Sequence, residues 1–290
     1  MAQQQKAVVV TGVSTGIGWG AAKVLTKAGF KVFGSVRKEA DAKRLQGELG
    51  ANFVPLLFDV TDEKAVRASV ATVRNGLGGH RLFGLVNNAG ISVAGPLVYL
   101  PIDEFRNQLE VNLTGVVVAT QAFAPLLGID DGLKGKAGRI INISSVGGRN
   151  ATPFITPYNV SKFGLEGLSE GLRRELMLFG IDVIVIAPGA VATPIWDKAE
   201  EVDVSRYANT AYAKPLARLR EFAAQTGKRG LKPEVIGRAI MHALTTPRPK
   251  VRYVVTPDRL QNFVVTRFPK RTVDRVMARR IGLMPQKAAQ

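Results

Sequence analysis

The sequence predicts a doubly wound α/β fold, with seven parallel strands covered by helices on both faces. Short runs rich in valine and isoleucine alternate with longer amphipathic helical patterns along most of the chain. The short runs are continuously apolar, which is typical of parallel strands that are buried on both faces. The length of 290 residues is ordinary for one domain of this kind.

The predicted elements follow one another in regular order. The candidate strands are the apolar runs at 7–12, 31–36, 53–58, 82–87, 139–144, 181–186 and 251–255. The helical patterns between them end near Ala28 after the first strand and then cover 38–49, 62–77, a stretch that begins near Ile102, and 156–179. A helix between successive strands is the connection that a parallel sheet requires.

Two segments depart from this alternation. Residues 190–231 separate a strand from a helix where a short connection would be enough, and long insertions at the carboxyl end of a strand are typically lids or binding loops. Residues 257–290 follow the last strand and are expected to form a basic helical extension. We therefore expect a sheet domain over 1–256, with 190–231 as its substrate-binding lid, and an extension over 257–290.

Composition excludes several kinds of site. Apolar residues make up 46% of the chain and charged residues 22%, as in soluble globular proteins. The chain has no cysteine and only two histidines, so we predict no disulfide, no metal site and no serine–histidine nucleophile. The polar start MAQQQK passes straight into a strand pattern, which predicts no secretory signal. No apolar run approaches the roughly 20 residues of a membrane helix, so we expect a cytoplasmic protein.

The chain is strongly basic, and the excess is uneven. The formal net charge is +17, and the segment 248–290 carries eleven Lys/Arg against two Asp, a net +9. Two interpretations of the extension stay open: peripheral contact with an anionic membrane through a basic amphipathic helix, or packing on its own domain or a second subunit. We do not expect a nucleic-acid partner, because no recognition motif accompanies the charge.

A glycine-rich turn lies between the first strand and the first helix. The stretch TGVSTGIG (11–18) has the spacing Gly-x₃-Gly-x-Gly. Glycines there let the backbone approach a pyrophosphate, whose charge the helix N-terminus favours. No Gly-Lys-Ser/Thr follows, so the turn is not a P-loop. We predict a dinucleotide site that includes Gly12, Ser14, Thr15, Gly16, Ile17 and Gly18.

This turn resembles the cofactor fingerprint of the short-chain dehydrogenases/reductases. The resemblance extends from residue 7 to about 256 and recurs, in family order, at Asn87-Asn88-Ala89-Gly90, Asn112, Ser145, Tyr158-x₃-Lys162 and Pro188-Gly189 with Thr193. It implies a Rossmann fold and an NAD(P)-dependent oxidoreductase that acts on CH–OH groups. The stretch VFGSVRKEAD and the lengthened carboxyl end resemble the hydroxysteroid and retinol dehydrogenase branch.

The Tyr158-x₃-Lys162 spacing places a phenol beside an ammonium on one helix face. A free tyrosine has a pKa near 10, and a neighbouring positive charge lowers it. The resemblance implies that Tyr158 is the general acid/base and that Lys162 also binds the nicotinamide ribose. Ser145 resembles the residue that orients the substrate oxygen, with Ser144 as the alternative. Asn112 resembles the helix asparagine that supports a water-linked proton relay to the lysine.

The end of the second strand favours NADP(H) over NAD(H). An acidic residue there would bind the ribose 2′-hydroxyl of NAD, whereas an arginine suits the 2′-phosphate of NADP. This chain has Val36 followed by Arg37, and a guanidinium pairs well with a phosphate. Asp59 resembles the residue that contacts the adenine. The resemblance adds cofactor contacts from Val60, Asn88, Ala89, Gly90, Tyr158, Lys162, Pro188, Gly189, Val191 and Thr193.

The predicted substrate pocket is apolar. Its candidate residues are Ser145, Val146, Phe154, Ile155 and Trp196, which favour a hydrophobic ketone or secondary alcohol that is steroid-, retinoid- or aromatic-ketone-like. The resemblance also implies a homodimer or homotetramer formed through the helices near 102–127 and 156–179. The alternative function is a non-catalytic dinucleotide-binding regulator or scaffold. The complete set of Asn112, Ser145, Tyr158 and Lys162 argues against that alternative.

Overall fold

A computed structural model describes residues 5–194 and 205–285 of the chain. One parallel sheet organises the molecule, with strand order β3-β2-β1-β4-β5-β6-β7. The strands are β1 (Ala7–Val10), β2 (Lys31–Val36), β3 (Phe53–Leu57), β4 (Gly84–Asn87), β5 (Arg139–Ile143), β6 (Asp182–Pro188) and β7 (Arg252–Val255). The predicted seven-stranded doubly wound fold is therefore confirmed.

Helices connect the strands and cover both faces of the sheet. In the described residues they are α1 (Gly16–Lys27), α2 (Glu39–Leu49), α3 (Glu63–Gly76), α4 (Ile102–Leu109), α5 (Gly115–Ala124), α6 (Thr156–Glu175), α7 (Ala213–Lys228), α8 (Pro233–Thr245), α9 (Arg259–Arg267) and α10 (Lys270–Ile281). The helix expected over 156–179 is α6, continued by a 3₁₀ turn at Leu176–Phe179.

The continuous apolar strands separate two hydrophobic cores. Val9 of β1 packs into the core under α3 and α5, while its neighbours Val8 and Val10 pack into the core under α1, α2 and α8. Successive side chains of a strand point to opposite faces, so every residue of such a strand is buried. All four residues of β1 are buried accordingly.

The strand order positions the ligand site. β1 pairs with β2 on one side and with β4 on the other, so the direction of the connections reverses between β1 and β4. Ligands of open α/β sheets bind in the crevice at the carboxyl ends of the strands at such a point. The loops that follow β1, β4, β5 and β6 all begin at this edge of the sheet.

Helices α4 and α5 form one rod that sequence periodicity did not show in detail. A π-helical turn at Glu110–Thr114 joins them, and a second π turn covers Pro125–Ile129. The whole stretch Ile102–Ile129 is long and apolar enough to cross a membrane by length and composition, and 61% of its apolar window is buried inside the domain. Its apolar side chains therefore belong mainly to the core.

Candidate active site

The turn between β1 and α1 is shaped to receive a phosphate. Gly12 and Gly16 have φ angles of +69° and +62°, which side chains other than glycine rarely adopt. A Cβ on Gly12 would lie 2.9 Å from the Cα of Ala89, and one on Gly18 would lie 2.1 Å from the Gly12 carbonyl oxygen. Within the described part of the chain no side chain caps the start of α1. Its N–H groups and positive dipole end are thus available to an anion.

The loop after β4 holds this turn in place. The Nδ2 of Asn88 donates to the carbonyl oxygens of Thr11 and Gly12, both at 2.9 Å. The hydroxyl of Thr11 accepts from the backbone amides of Asn88 at 2.9 Å and Ala89 at 3.0 Å. Thr11 was not among the predicted site residues, although it begins the fingerprint that was recognised. A buried hydroxyl next to a glycine turn was the available signal.

The other predicted cofactor residues lie along the same edge of the sheet. The Cβ position of Gly16 is 3.3 Å from the side chain of Thr193, so the segment after β6 lies over the glycine turn. The turn and this segment, both predicted to bind the cofactor, are therefore neighbours in the fold. The remaining members occupy the glycine turn and the ends of β3, β4 and β6: Ser14, Thr15, Ile17, Val60, Gly90, Pro188, Gly189 and Val191.

The predicted adenosine end has a cation and a carboxylate side by side. Arg37 Nη1 lies 3.5 Å from Asp59 Oδ2, and 68% of the arginine side chain is exposed. Burial pushes the pKa of Asp59 upward, but hydrogen bonds from the amide and hydroxyl of Thr61 and the charge of Arg37 outweigh it, so the pKa falls below its ordinary value. Asp59 therefore stays ionised, and most of the Arg37 guanidinium remains free to meet a phosphate. Val36 is buried, as its place on the strand requires.

Ser145, Tyr158 and Lys162 meet at the carboxyl end of β5. Lys162 is buried and donates from Nζ to the Ile143 carbonyl oxygen at 2.8 Å, and its Nζ lies 5.6 Å from the centre of the Tyr158 ring. Burial lowers the pKa of Lys162 to about 8. Burial also raises the pKa of Tyr158, and a hydrogen bond with the Ser145 hydroxyl partly offsets the rise. In the ligand-free chain Tyr158 is thus a protonated phenol, which is the form that an acid catalyst needs.

This balance differs from the sequence-based expectation for the tyrosine. The spacing predicts that Lys162 lowers the pKa of Tyr158, whereas burial dominates in the structure. The reason is geometric, because the ammonium is held by the Ile143 carbonyl and faces the ring. The alternative residue Ser144 is buried, and a Cβ on the following Gly148 would lie 2.7 Å from its hydroxyl, so it packs behind the loop.

Asn112 lies in the π turn between α4 and α5 and is buried. Its Oδ1 accepts from the amide of Ile91 at 2.9 Å, and its Nδ2 donates to the Ile91 carbonyl at 3.0 Å and to the Ser161 hydroxyl at 3.0 Å. Ser161 in turn donates to the carbonyl oxygen of Tyr158 at 2.7 Å. The side chain of Asn112 therefore ties the β4 loop to the helix that carries Tyr158. A π turn often marks a functional site.

Comparison with known proteins agrees with this geometry. The sequence profile of the family described as short chain dehydrogenase matches residues 6–203. The chain is 37% identical over 281 residues to an NADPH-dependent 3-dehydrocapnine reductase of Ornithobacterium rhinotracheale, with 97% of this chain and 99% of that protein covered. It is 32% identical over 294 residues to the mitochondrial D-beta-hydroxybutyrate dehydrogenase of Rattus norvegicus, with 93% and 83% covered.

The chain belongs to the short-chain dehydrogenases. Family membership makes it an NAD(P)-dependent oxidoreductase that acts on CH–OH groups. A solved short-chain dehydrogenase from Streptomyces avermitilis superimposes with a TM-score of 0.74 at 26% identity and covers 96% of this chain, as well as 95% of its own. The fold, including the extension, is therefore matched over nearly its whole length.

Gln108 is a positioning residue that the sequence analysis missed. It is fully buried on α4, one turn before Asn112. Its Oε1 accepts from the amide of Val93 at 2.7 Å, and its Nε2 donates to the Ile91 carbonyl at 2.9 Å. The side-chain amides of Gln108 and Asn112, four residues apart, together hold the loop that follows the short-chain dehydrogenase motif Asn-Asn-Ala-Gly. The spacing to Asn112 was the signal that could have identified it.

Glu166 was also missed, and it links three elements near Lys162. It lies on α6, one turn after Lys162, and accepts from Nε of Arg252 on β7 at 3.0 and 2.9 Å. Its carboxylate also lies 3.4 Å from Nε of Arg149, at the end of the loop that carries Ser145. The single Nε–H of Arg252 is thus shared between the two oxygens of the Glu166 carboxylate. The carboxylate thereby helps to fix the Ser145 loop relative to α6.

At the substrate end, Phe154 has an unusual place. Its φ angle of +64° is the only positive one found at a non-glycine position in the described residues, and its carbonyl accepts from the Gly95 amide at 2.7 Å. Its ring is buried in a cluster with Tyr207, Leu216 and Ile281. Phe154 therefore joins the lid to the extension. Its expected contact with substrate stays a prediction.

The other predicted substrate residues are less completely placed. Val146 and Ile155 are half-buried on either side of the turn between Ser145 and Tyr158. Trp196 lies outside the described residues. The base of the predicted lid is closed by backbone bonds, from the Ala192 amide to the Leu231 carbonyl and from the Leu231 amide to the Ala190 carbonyl, both at 2.9 Å. The inserted segment 190–231 thus starts and ends at one point of the fold.

Proposed function

We propose that this protein reduces or oxidises a hydrophobic ketone or secondary alcohol with NADP(H), using Tyr158 as the general acid/base. The observation that carries the proposal is the convergence of Ser145, Tyr158 and buried Lys162 beside the glycine cradle. A protein that only bound a dinucleotide would need the cradle and not a phenol paired with a buried ammonium.

The residues divide the chemistry between them. When bound, NADPH supplies the hydride. Ser145 donates a hydrogen bond to the substrate carbonyl oxygen, and Tyr158 transfers its phenolic proton to that oxygen as negative charge develops there. The Lys162 ammonium stabilises the phenolate that is left. Asn112 and Gln108 hold the β4 loop against α4, and Asn112 also supports the water-linked relay to the lysine. Thr193 and Pro188-Gly189 contact the nicotinamide end, and Asp59 the adenine.

The cofactor preference rests on the end of β2. Val36 leaves no carboxylate to repel a 2′-phosphate, and Arg37 offers an exposed guanidinium there. The relative from Ornithobacterium rhinotracheale is named as NADPH-dependent, which supports the same preference. The ion pair between Arg37 and Asp59 is exposed to solvent and contributes little free energy, so a phosphate can compete for the guanidinium.

The hydrophobic substrate class is supported by the apolar side chains around the Ser145–Tyr158 turn. A screen that follows NADPH oxidation with steroids, retinoids, aromatic ketones, fatty aldehydes and 3-dehydrocapnine, and NADP⁺ reduction with D-3-hydroxybutyrate, tests it. Turnover of small hydrophilic acids alone would contradict it.

We further propose a cytoplasmic homodimer or homotetramer; α6 exposes Val160 and Phe163, as a subunit contact requires. Sedimentation equilibrium measures the subunit number.

Tyr158→Phe tests the central assignment. The change keeps the ring and removes only the hydroxyl, so kcat should fall by roughly 10²–10⁴-fold while the NADPH Kd is unchanged. Steady-state kinetics and fluorescence titration of NADPH measure the two quantities. Tyr253→Phe, a change on β7 away from Ser145, serves as the control and should keep its turnover. A Tyr158→Phe protein with ordinary kcat would refute the acid/base role.

A further inference from the structure

The extension exposes an apolar stripe that the fold does not cover. On α9 and just after it, Leu260, Phe263, Val264 and Phe268 expose 77%, 56%, 38% and 52% of their surface. The spacing of the first three places them on one side of the helix. Soluble proteins rarely leave large apolar side chains so close together without a partner. This group of four is called the apolar stripe below.

Cations surround the stripe. The guanidinium of Arg267 lies 5.1 Å from the centre of the Phe263 ring, and Lys270, Arg271 and Arg275 are exposed on the neighbouring α10. Among the ion pairs of residues 5–194 and 205–285, none involves these four basic residues. No carboxylate among the described residues therefore neutralises their charge.

The opposite end of the extension is anchored to the domain. Ile281 is buried with Leu216 of α7, and the guanidinium of Arg280 lies 4.7 Å from the centre of the Phe222 ring. Gly282, with a φ of +81°, ends α10 close to the guanidinium of Arg218. The packing interpretation therefore holds for the end of the extension, whereas α9 leaves the stripe uncovered.

We propose that the apolar stripe and its flanking cations dock on an anionic lipid bilayer. An apolar helix face bordered by arginine and lysine is the arrangement that lies in a membrane interface, with the apolar side chains among the acyl chains and the cations at the headgroups. A second copy of the chain fits less well, because a twofold contact at the stripe would set these cations against their own equivalents. Nucleic acid would use the cations but leave Leu260 and Phe263 in water.

Docking has a consequence for the site. Ile281 at the end of α10 shares its buried cluster with Phe154, four residues before Tyr158. The end of the extension and the substrate loop therefore share one packed cluster, and docking of α9 on the same extension is expected to bring the substrate end of the crevice near the bilayer. A hydrophobic substrate dissolved in the membrane then reaches the site without crossing water. This consequence rests on the proposed function, whereas the docking itself does not.

Vesicle flotation with the full-length protein tests the docking directly and needs no turnover. The probes are phosphatidylcholine vesicles with about 30% phosphatidylglycerol and vesicles of phosphatidylcholine alone. The protein should float with the anionic vesicles at about 0.05 M NaCl and bind much less at about 0.5 M, where the Debye length is short. It should remain at the bottom of the gradient with the neutral vesicles.

Two variants separate the roles of charge and apolar surface. Arg267→Glu/Lys270→Glu/Arg271→Glu should lower the partition coefficient at least roughly 100-fold, because each basic residue near an anionic surface contributes about 1 kcal/mol. Leu260→Ser/Phe263→Ser/Phe268→Ser keeps every charge and should lower it roughly tenfold or more. The matched control Lys27→Glu/Lys64→Glu/Lys136→Glu makes the same change in net charge at exposed positions far from the extension in sequence. It should bind nearly as the parent does.

Each other outcome overturns the proposal. The proposal fails if the wild-type protein does not float with anionic vesicles at low salt. It also fails if the control variant loses as much vesicle binding as the glutamate variant, because binding would then follow net charge alone. Binding to an oligonucleotide with no binding to vesicles would make the patch a nucleic-acid surface. The stripe would instead be an interface between copies of the chain if the wild-type protein did not bind vesicles and the serine variant had fewer subunits than the wild type. NADPH titration and the unfolding temperature verify that all variants fold.

Discussion

The nucleotide end and the substrate end of the crevice are built in different ways. The proposed nucleotide end is a glycine turn held by Thr11 and Asn88, in which a Cβ at Gly12 or Gly18 would come within 3 Å of the backbone. The substrate end is made by side chains from three distant segments, which meet around Phe154, Leu216 and Ile281. Backbone contacts tolerate no substitution, whereas a cluster of side chains can repack. The nucleotide end can therefore be recognised in the sequence as a motif, whereas the side chains of the substrate end can change more easily.

The largest effect on the nucleotide end is expected from a methyl group added to the glycine turn. In Gly18→Ala the new Cβ would lie 2.1 Å from the Gly12 carbonyl oxygen and 2.5 Å from Asn88 Nδ2, so the turn must shift. We expect the NADPH Kd to rise at least roughly 100-fold and stability to fall by about 3 kcal/mol. Isothermal titration and urea unfolding measure both.

The control for this change is Gly171→Ala on α6, where a Cβ would meet no atom within 4 Å. Alanine favours helix over glycine, so this variant should be slightly stabilised and bind NADPH normally. If Gly18→Ala also bound NADPH normally, the cradle would not be the cofactor site.

Arg37→Ala tests the selectivity within the nucleotide end. Loss of a charge-assisted hydrogen bond to the 2′-phosphate should raise the NADPH Kd roughly 10–100-fold and leave the NADH Kd unchanged. Arg67→Ala removes another exposed arginine that pairs with a carboxylate, Glu63, and should change neither constant. Parallel weakening of NADPH and NADH would show that Arg37 does not distinguish the two.

Ile281→Ala examines the substrate end alone. Removing three buried carbons from the cluster around Phe154 should destabilise the chain by about 2 kcal/mol and raise the KM for the ketone several-fold. The NADPH Kd should not move, because the cradle shares no residue with that cluster. Val276→Ala on the same helix removes a side chain that is 60% exposed and should leave Tm and KM alone. If the KM for the ketone and the NADPH Kd changed equally, the distinction between the two ends would be wrong.

The smallest effect concerns the lysine that lies between the two ends. The pKa of Lys162 is lowered to about 8, so its ammonium is lost as pH rises through that value. Ketone reduction should decline on the alkaline side of about pH 8, measured as kcat against pH. The unfolded chain holds this proton up to the ordinary lysine pKa of about 10.4, so between these values the unfolding free energy rises with pH. A flat profile from pH 7 to 9.5 would contradict the assigned role.

The sequence predicted the sheet closely, and the ends of the seven strands differ from expectation by no more than two residues. Local pattern suffices there, because the central strands are buried on both faces and all seven read as apolar runs. Gln108 and Glu166 escaped prediction because their partners lie 15 to 86 residues away. A lone Gln or Glu on a helix looks like a solvated side chain until its partners are known.

The sequence by itself therefore determined the succession of strands and helices along the chain, the glycine cradle, and the Tyr158–Lys162 spacing, since each depends on residues that are neighbours along the chain. Tertiary structure alone decided the protonation of Tyr158. Burial of the phenol, and the Ile143 carbonyl that holds the Lys162 ammonium, set that balance. It also decided that α10 packs at its end beside Phe154 while α9 leaves an apolar stripe in solvent. Desolvation and packing depend on what surrounds a residue in space, and no local spacing encodes that.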